Sequence, residues 1–408
     1  MLGIMEELNL DEWISRDCQC GNPHFDMTIE QIVIERSALK EAVLFLETKN
    51  YQKLTIVADR NTYEVAGRSF LQAVKQLKIL TETCLVGYEN DSEVIADEKS
   101  IVQVMTSVSA NTEIIIAIGA GTIHDIVRFV SYKMGKPFLS IPTAPSVDGF
   151  TSMGAPIIVN GNKKTYQTQA PIAVFAELDI LMEAPKKMIA AGFGDMLGKT
   201  TSLADWQFGH LIDEEPFCPL VFQMTEQALE KCLIHFQKIA NREEEGIKIL
   251  MQSLILSGLA MLRFGQSHPA SGAEHHLSHY WEMDFIKKQK RQVLHGEKVS
   301  ISTCLISKFY QTTIKTALIE LKKGSIQFSD KRMERLKINE EKILDILMKM
   351  PASIQIQEMV RGLGGELNPQ SLGISEELIE SSLQNAHLLR ERSTFLSFYN
   401  QFIRNQKA

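Results

Sequence analysis

Short apolar runs alternate with amphipathic stretches through the first half of the chain. Lys53–Asp59 (KLTIVAD), Thr83–Tyr88 (TCLVGY), Ile114–Ile118 (IIIAI) and Pro137–Ile141 (PFLSI) are rich in β-branched and aromatic residues and too short for helices. Runs of this kind suit strands buried on both faces of a sheet. Between them, Asn61–Gln76 and Thr122–Met134 carry helical spacing. The βαβα rhythm predicts a largely parallel sheet with helices on both sides.

The rhythm then changes. Pro156–Asn160 (PIIVN), a turn containing Gly161, and Pro171–Glu177 (PIAVFAE) predict a hairpin-like excursion. From Pro185 onward the chain shows helical spacing interrupted by Gly and Pro, and it is helical again after Gly362–Pro369 (GLGGELNP). A boundary near 178–186 therefore divides an α/β half, 1–182, from an all-helical half, 183–408. The most apolar stretch, Ile249–Leu262, is broken by Gln252 and Ser253 and is shorter than the ~20 residues a membrane span needs. It predicts a buried core helix and no membrane insertion.

Composition narrows the functional classes. A chain of 408 residues with 44% hydrophobic and 23% charged side chains is an ordinary globular mix, long enough for two or three domains at ~150 residues each. The net charge of −7 and the lack of a basic stripe exclude a nucleic-acid partner. Lys287–Arg291 (KKQKR), the strongest local basic excess, reads as a solvated helix face. Six scattered cysteines form no disulfide framework, and Met1–Asp11 carries Glu6, Glu7 and Asp11 where a leader would be basic. A cytoplasmic protein is the expectation.

The run Ile114–Ile118 empties into Gly119, Ala120, Gly121, Thr122, Ile123, His124 and Asp125, with a helix following. Glycines at a helix N-terminus let backbone N–H groups approach a pyrophosphate, and the helix dipole favours the charge. The motif is not the Rossmann G-x-G-x-x-G, because His124 stands at the third glycine. Asp59 ends an earlier strand, where a carboxylate accepts hydrogen bonds from a ribose, and Ser140–Thr143 ends the next one. Three polar strand ends point to one crevice, and dinucleotide binding is favoured over an empty tight turn.

Five of the ten histidines fall between 268 and 295: His268, His275, His276, His279 and His295. His275 and His279 share a helix face, and His295 opens a further helical segment. Imidazole suits zinc, nickel, copper or iron, and an open catalytic site takes about three protein ligands. A carboxylate should complete the set. Asp195 stands out after Gly192 and Gly194, with Lys199 four residues on; the structural alternative is a local Asp–Lys helix pair. Asp148, in Ala144–Phe150 (APSVDGF), is a second acid whose alternative is turn chemistry. Cys18, Cys20 and His24 (CQCGNPH) have the look of a metal knuckle but lack a second ligand pair nearby, and are taken as structural.

Taken together, GAGTIHD, SIPTAPSVDG, GFGDMLGK, SHPASGAEHHLSH and LHGEKV resemble the glycerol-1-phosphate dehydrogenases, in particular the bacterial branch associated with arabinose operons. These belong with the iron-type alcohol dehydrogenases, glycerol dehydrogenases and dehydroquinate synthases. The resemblance runs in order over about 53–300; the last hundred residues add only helical character. It implies an NAD(P)-binding Rossmann-like domain, a helical domain and an active site in the cleft between, in a homodimer. By position, Asp195, His275 and His295 match the metal ligands, and Asp148, Asp195 and His279 match substrate-contacting, catalytic positions. Gly119, Ala120, Gly121, Thr122, Ile123, Asp125, Ser140, Ile141, Pro142, Thr143, Ser152 and Asp59 match cofactor contacts. Ala120 stands where archaeal relatives usually have glycine. The ion is zinc in archaeal members and nickel in bacterial ones, and both suit imidazole and carboxylate.

The implied reaction is NADH- or NADPH-linked reduction of dihydroxyacetone phosphate to sn-glycerol 1-phosphate, feeding glycerophospholipid-type synthesis. The competing readings are a polyol dehydrogenase of the same fold, a lyase of the dehydroquinate-synthase type and a non-enzymatic sugar-phosphate sensor. Lys163, Lys164 and Lys199 are the candidate phosphate donors, with no spacing that selects among them.

Overall fold

The computed structural model describes residues 9–87, 93–322 and 331–404. Six parallel strands form the sheet of the first half: β1 Gln31–Glu35, β2 Lys53–Ala58, β3 Leu80–Leu85, β4 Ile114–Gly119, β5 Phe138–Pro142 and β8 Ala173–Glu177. Their order across the sheet is β1-β8-β5-β4-β2-β3. Alternate residues of β4 serve opposite faces. Ile114, Ile116 and Ile118 pack with Leu46, Phe70 and Val74, while Ile115 and Ala117 pack with Val104, Ile126 and Val130. Both faces are buried, which is why this strand reads as an unbroken apolar run.

The strands expected over 53–59 and 137–141 are present as β2 and β5, each to within one residue at either end. The strand expected over 83–88 lies earlier, at Leu80–Leu85, and Tyr88 falls outside the described residues, as does most of the acidic N-terminus. β3 is an edge strand with several exposed positions, so its first half has no apolar signature. β1, the opposite edge, was not expected at all. The hairpin needs correction too. Its strands are β6 Gly154–Val159 and β7 Asn162–Gln167, paired antiparallel, whereas Pro171–Glu177 leads into β8, inside the main sheet next to the edge strand β1. β7 (NKKTYQ) is too polar and exposed to read as a strand, and β8 is fully buried between β1 and β5.

Beyond β8 the described chain is helical. The 28-residue helix Lys186–Asp213 runs through the second half and is buried along most of its length. It packs against Glu244–Phe264, Ala273–Lys287 and His295–Phe309. Glu244–Phe264 is the one helix among the described residues long and apolar enough to cross a membrane, but it is 83% buried inside the protein. Leu250, Leu254 and Leu256 sit in the core beside Phe193 and Leu197. The basic run 287–291 lies at a helix end, where Lys288 pairs with Asp284 at 2.8 Å.

Small residues let the central helix meet its neighbours closely. A Cβ on Gly296 would lie 1.8 Å from the Ala191 carbonyl oxygen, and one on Gly194 would lie 1.9 Å from Ser300 Oγ. Those glycines bring Asp195 beside His295 (below). Gly296→Ala should therefore force the two helices apart at a cost of about 1–3 kcal/mol, read as a lowered thermal midpoint. A variant melting with the wild type would show that the contact has slack.

Candidate active site

The connection after β2 leads outward to β3, and the one after β4 leads the other way to β5. Adjacent β2 and β4 thus flank the point where the winding reverses, and ligands of open α/β sheets bind in the crevice at the strand C-termini there. Asp59 follows β2, and Gly119–Ala120–Gly121 closes β4 and opens the helix Gly121–Met134. Asp59 Oδ1 accepts the Thr62 N–H at 2.9 Å, and Thr62 Oγ1 donates to the Ile118 carbonyl at 3.0 Å, which ties the two strand ends together.

His124, in place of the third glycine, is buried against Phe150. Burial pushes its imidazole down to about 3, so it is neutral. Its Nδ1 sits 3.0 Å from the Ala120 carbonyl, which can only accept, so Nε2 accepts from Ser140 Oγ at 2.7 Å. The Ser140 hydroxyl is thereby turned into the protein. Ile123 and Ile141 also face the core. Ala120, Gly121, Thr122, Asp125 and Ser152 line a cleft of about 710 Å³ between the two halves; Gly119, Ile123, Ser140–Thr143 and Asp59 do not. Arg128, which the sequence did not single out, is buried and pins the loop beneath this cleft. It pairs with Asp125 at 3.1 Å and donates to the carbonyls of Phe150 and Gly154 at 3.1 Å each. Burial nevertheless raises the Asp125 carboxyl to about 7.

At the other end of the cleft, three side chains from separate helices converge. Asp195 comes from Lys186–Asp213, His275 from Ala273–Lys287 and His295 from the first turn of His295–Phe309. His275 Nε2 is 3.6 Å and His295 Nε2 4.0 Å from Asp195 Oδ1, and one ligand atom from each residue lies within 4.8 Å of the others. Ligands at metal–donor distances of 2.0–2.2 Å in a tetrahedron stand about 3.4 Å apart, so the three fit one ion with little movement. His275 Nδ1 is 2.7 Å from Glu274 Oε1, a carboxylate that fixes the ring with Nε2 facing the cluster. Glu274 is in turn held by Thr201 Oγ1 and the Gly272 N–H, both at 2.6 Å.

Asp195 is wholly buried. Burial alone would raise its carboxyl, but Lys199 and the two imidazoles hold it well below the usual range. Lys199 is equally buried, 2.9 Å from Asp195 Oδ1, 2.7 Å from Asp148 Oδ2 and 3.1 Å from the Ala270 carbonyl. Despite its burial, the two carboxylates raise its ammonium above the ordinary lysine value. Burial and the Asp195 charge push the Asp148 carboxyl up. The Asp148 N–H donates to Asp195 Oδ2 at 3.0 Å, and Ser257 Oγ donates to Asp148 Oδ2 at 2.8 Å.

Lys199 therefore has three acceptors and no surface, which removes it from the candidate phosphate donors. Lys163 lines the cleft but is tied to Glu282 at 2.9 and 3.0 Å; Lys164 lines it as an exposed residue. His279 also lines the cleft, its Nδ1 3.4 Å from Glu282 and its Nε2 3.5 Å from Arg390. Glu274, Ser257, Glu282 and Arg390 were not singled out in the sequence; of these, only Glu274, adjacent to His275, had a position that could have marked it.

A comparison with known families matches the iron-containing alcohol dehydrogenases over residues 33–185. The chain is 51% identical over 391 residues to the glycerol-1-phosphate dehydrogenase [NAD(P)+] of Geobacillus stearothermophilus, covering 96% of this chain and 97% of that protein. It is 46% identical to the enzyme of the same name from Halalkalibacterium halodurans, covering 96% and 97%. Among solved structures, a probable glycerol dehydrogenase from Sinorhizobium meliloti superposes with a TM-score of 0.62 at 14% identity, over 88% of each chain, which speaks to fold alone.

Three substitutions test the ligand geometry. His295→Ala and His275→Ala should each lose the bound ion, measured by elemental analysis, while far-ultraviolet circular dichroism stays unchanged; full occupancy in either variant would remove that residue from the set. Glu274→Gln should keep the ion but weaken its binding about 10- to 100-fold, read by competition with a chelator.

Proposed function

We propose a residue-level mechanism for this chain on one premise: it belongs to the glycerol-1-phosphate dehydrogenases, within the iron-containing alcohol dehydrogenases. It is a metal-dependent, NAD(P)-linked oxidoreductase that interconverts dihydroxyacetone phosphate and sn-glycerol 1-phosphate. The observation that carries the mechanism is the meeting of Asp195, His275 and His295 at the wall of the cleft that the glycine loop also lines.

In our reading those three residues hold one divalent ion, nickel or zinc. When bound, the ion polarises the ketone as a Lewis acid, and the dinucleotide supplies the hydride. The chain does the positioning. Backbone N–H groups of the Gly121–Met134 N-terminus receive the pyrophosphate, and Ser152, which lines the cleft, receives a polar group of the dinucleotide. Lys199, Ser257 and the Asp148 N–H fix both carboxylates, leaving Asp148 Oδ1 to orient a substrate hydroxyl. His279 stands across the cleft with its Nδ1 committed to Glu282. Its Nε2, 3.5 Å from the Arg390 guanidinium, lines the cleft and would relay a proton drawn from solvent to the product oxygen.

The substrate phosphate falls to Arg390. Its guanidinium lines the cleft, donates to Ser267 Oγ at 3.2 Å and has no carboxylate partner among the described residues. Burial and the nearby Arg392 lower its pKa, so its charge lacks compensation until an anion arrives. A cytoplasmic homodimer feeding glycerophospholipid-type synthesis completes the reading.

The decisive experiment reduces dihydroxyacetone phosphate with NADH or NADPH, resolves the product stereochemically and measures the metal in the purified protein. We expect sn-glycerol 1-phosphate and one catalytic ion per chain, lost with activity on chelation and restored with added nickel or zinc. The sn-3 enantiomer, or preference for unphosphorylated dihydroxyacetone, would overturn the assignment. Arg390→Gln should raise KM for dihydroxyacetone phosphate about 10- to 100-fold, the loss of one charged hydrogen-bonding contact, while leaving the weak turnover of dihydroxyacetone nearly unchanged. Equal effects on both ketones would move the phosphate elsewhere.

A further inference from the structure

A second cluster of ligand-type side chains lies outside the cleft. Cys18, Cys20 and His24 belong to the segment between the helix Leu10–Ser15 and β1, and along the sequence they lack a fourth member. The fold supplies one. Cys218, about two hundred residues away, brings its Sγ to 3.4 Å from Cys18 Sγ and 3.6 Å from His24 Nε2. Cys20 Sγ is 3.3 Å from the same His24 nitrogen, and all four ligand atoms lie within 4.8 Å of one another.

These separations are those of a coordination polyhedron. A tetrahedral ion with bonds of ~2.3 Å to sulfur and ~2.0–2.1 Å to nitrogen sets sulfur–sulfur edges of about 3.8 Å and sulfur–nitrogen edges of about 3.5 Å. All six cysteines are free thiols. Hydrogen-bond donors also face two of the sulfurs. Cys218 caps the helix Pro219–Ile234, its Sγ accepting the Val221 N–H at 3.4 Å. Asn22 Nδ2 donates to Cys20 Sγ at 3.3 Å. Gly21, at φ +81°, reverses the chain between Cys20 and Asn22, a conformation that favours glycine.

We propose that Cys18, Cys20, His24 and Cys218 form a second, structural metal site that holds one zinc ion and pins the N-terminal segment to the helical half. Three thiols and one imidazole fill a tetrahedron and leave no open position, so the site has no catalytic role. Binding releases the thiol protons to solvent and changes no oxidation state. The segment it pins is already in contact with the helical half: Trp13 Nε1 donates to Gln227 Oε1 at 2.6 Å, Asn22 Nδ2 to the Phe217 carbonyl at 2.8 Å, and the Phe25 N–H to the Arg263 carbonyl at 3.0 Å. The Phe25 ring lies against Gly265, which lines the active-site cleft, so the zinc buttresses one wall of that cleft from outside.

The test uses the full-length protein purified without chelator under reducing conditions. Elemental analysis should find a zinc equivalent in addition to the catalytic ion, released by a mercurial thiol reagent and detected with a zinc indicator. Replacement with cobalt(II) should produce the near-ultraviolet sulfur-to-cobalt charge-transfer band, to which Asp195, His275 and His295 cannot contribute. Cys20→Ser and Cys218→Ser should lose the band and melt about 5 °C or more lower, with turnover at low temperature retained. His24→Cys, which keeps four soft ligands, should retain the band. The wild-type protein decides the matter even if the variants fail to fold. No thiolate band on cobalt loading, no mercurial-released zinc, or a native chain lighter by two hydrogens with Cys18 joined to Cys218 would each overturn the proposal.

Discussion

A carboxylate with no exposed surface cannot stay ionised in a protein interior unless charge and hydrogen bonds replace the water it lost. Asp195 is that carboxylate, and much of the second half is arranged around it. Lys199 and the Asp148 N–H each take one of its oxygens. Asp148 then brings a second negative charge to the same ammonium. Two carboxylates against one lysine leave one negative charge over in a nearly dry pocket, and the two groups facing it, His275 and His295, are imidazoles with lone pairs to offer. A divalent cation held by Asp195, His275 and His295, as proposed above, would meet these demands together.

The constraint reaches into the first half through the loop after β5. Asp148 is in that loop, and the loop is held from beneath by Arg128 on the helix that the glycine turn begins. One guanidinium bonded to the carbonyls of Phe150 and Gly154, and paired with Asp125, joins the helix that opens at the glycine loop to the loop that carries Asp148. The two ends of the cleft are then held by a short, buried chain of contacts. Such preorganisation is where much of the catalytic advantage of a cofactor enzyme resides.

How much of this was legible in the sequence follows from what each signal reports. Strands buried on both faces announce themselves, so β2, β4 and β5 were visible at once. Edge strands do not, because one side meets solvent; β1 and the first residues of β3 were lost for that reason. Pro171–Glu177 was visible as a strand but given to the wrong sheet, since sequence proximity favoured pairing it with Pro156–Asn160 while its real hairpin alternative, NKKTYQ, has no apolar face. Lys199 was placed correctly on the face of Asp195, yet its burial is a tertiary fact, and without it a lysine near a phosphate substrate looks like a phosphate ligand. Cys218 could not be found at all. Its partners lie about two hundred residues earlier, and no local spacing marks it.

Arg390 shows the same limit from the side of specificity. The motifs that identify the chemistry all lie before residue 300, and the tail adds only helical periodicity. Yet the tail delivers the guanidinium that faces the cleft, with Arg392 anchoring the strand of chain beside it to the His268 carbonyl at 2.9 Å. Burying a cation without a carboxylate partner costs stability, and a fold would keep it only where a ligand restores the balance. Hydride transfer and metal ligation are shared by enzymes with many substrates on this architecture. In the mechanism proposed above, the phosphorylated ketone is selected by the Arg390 charge, carried by the part of the chain in which the sequence shows no motif.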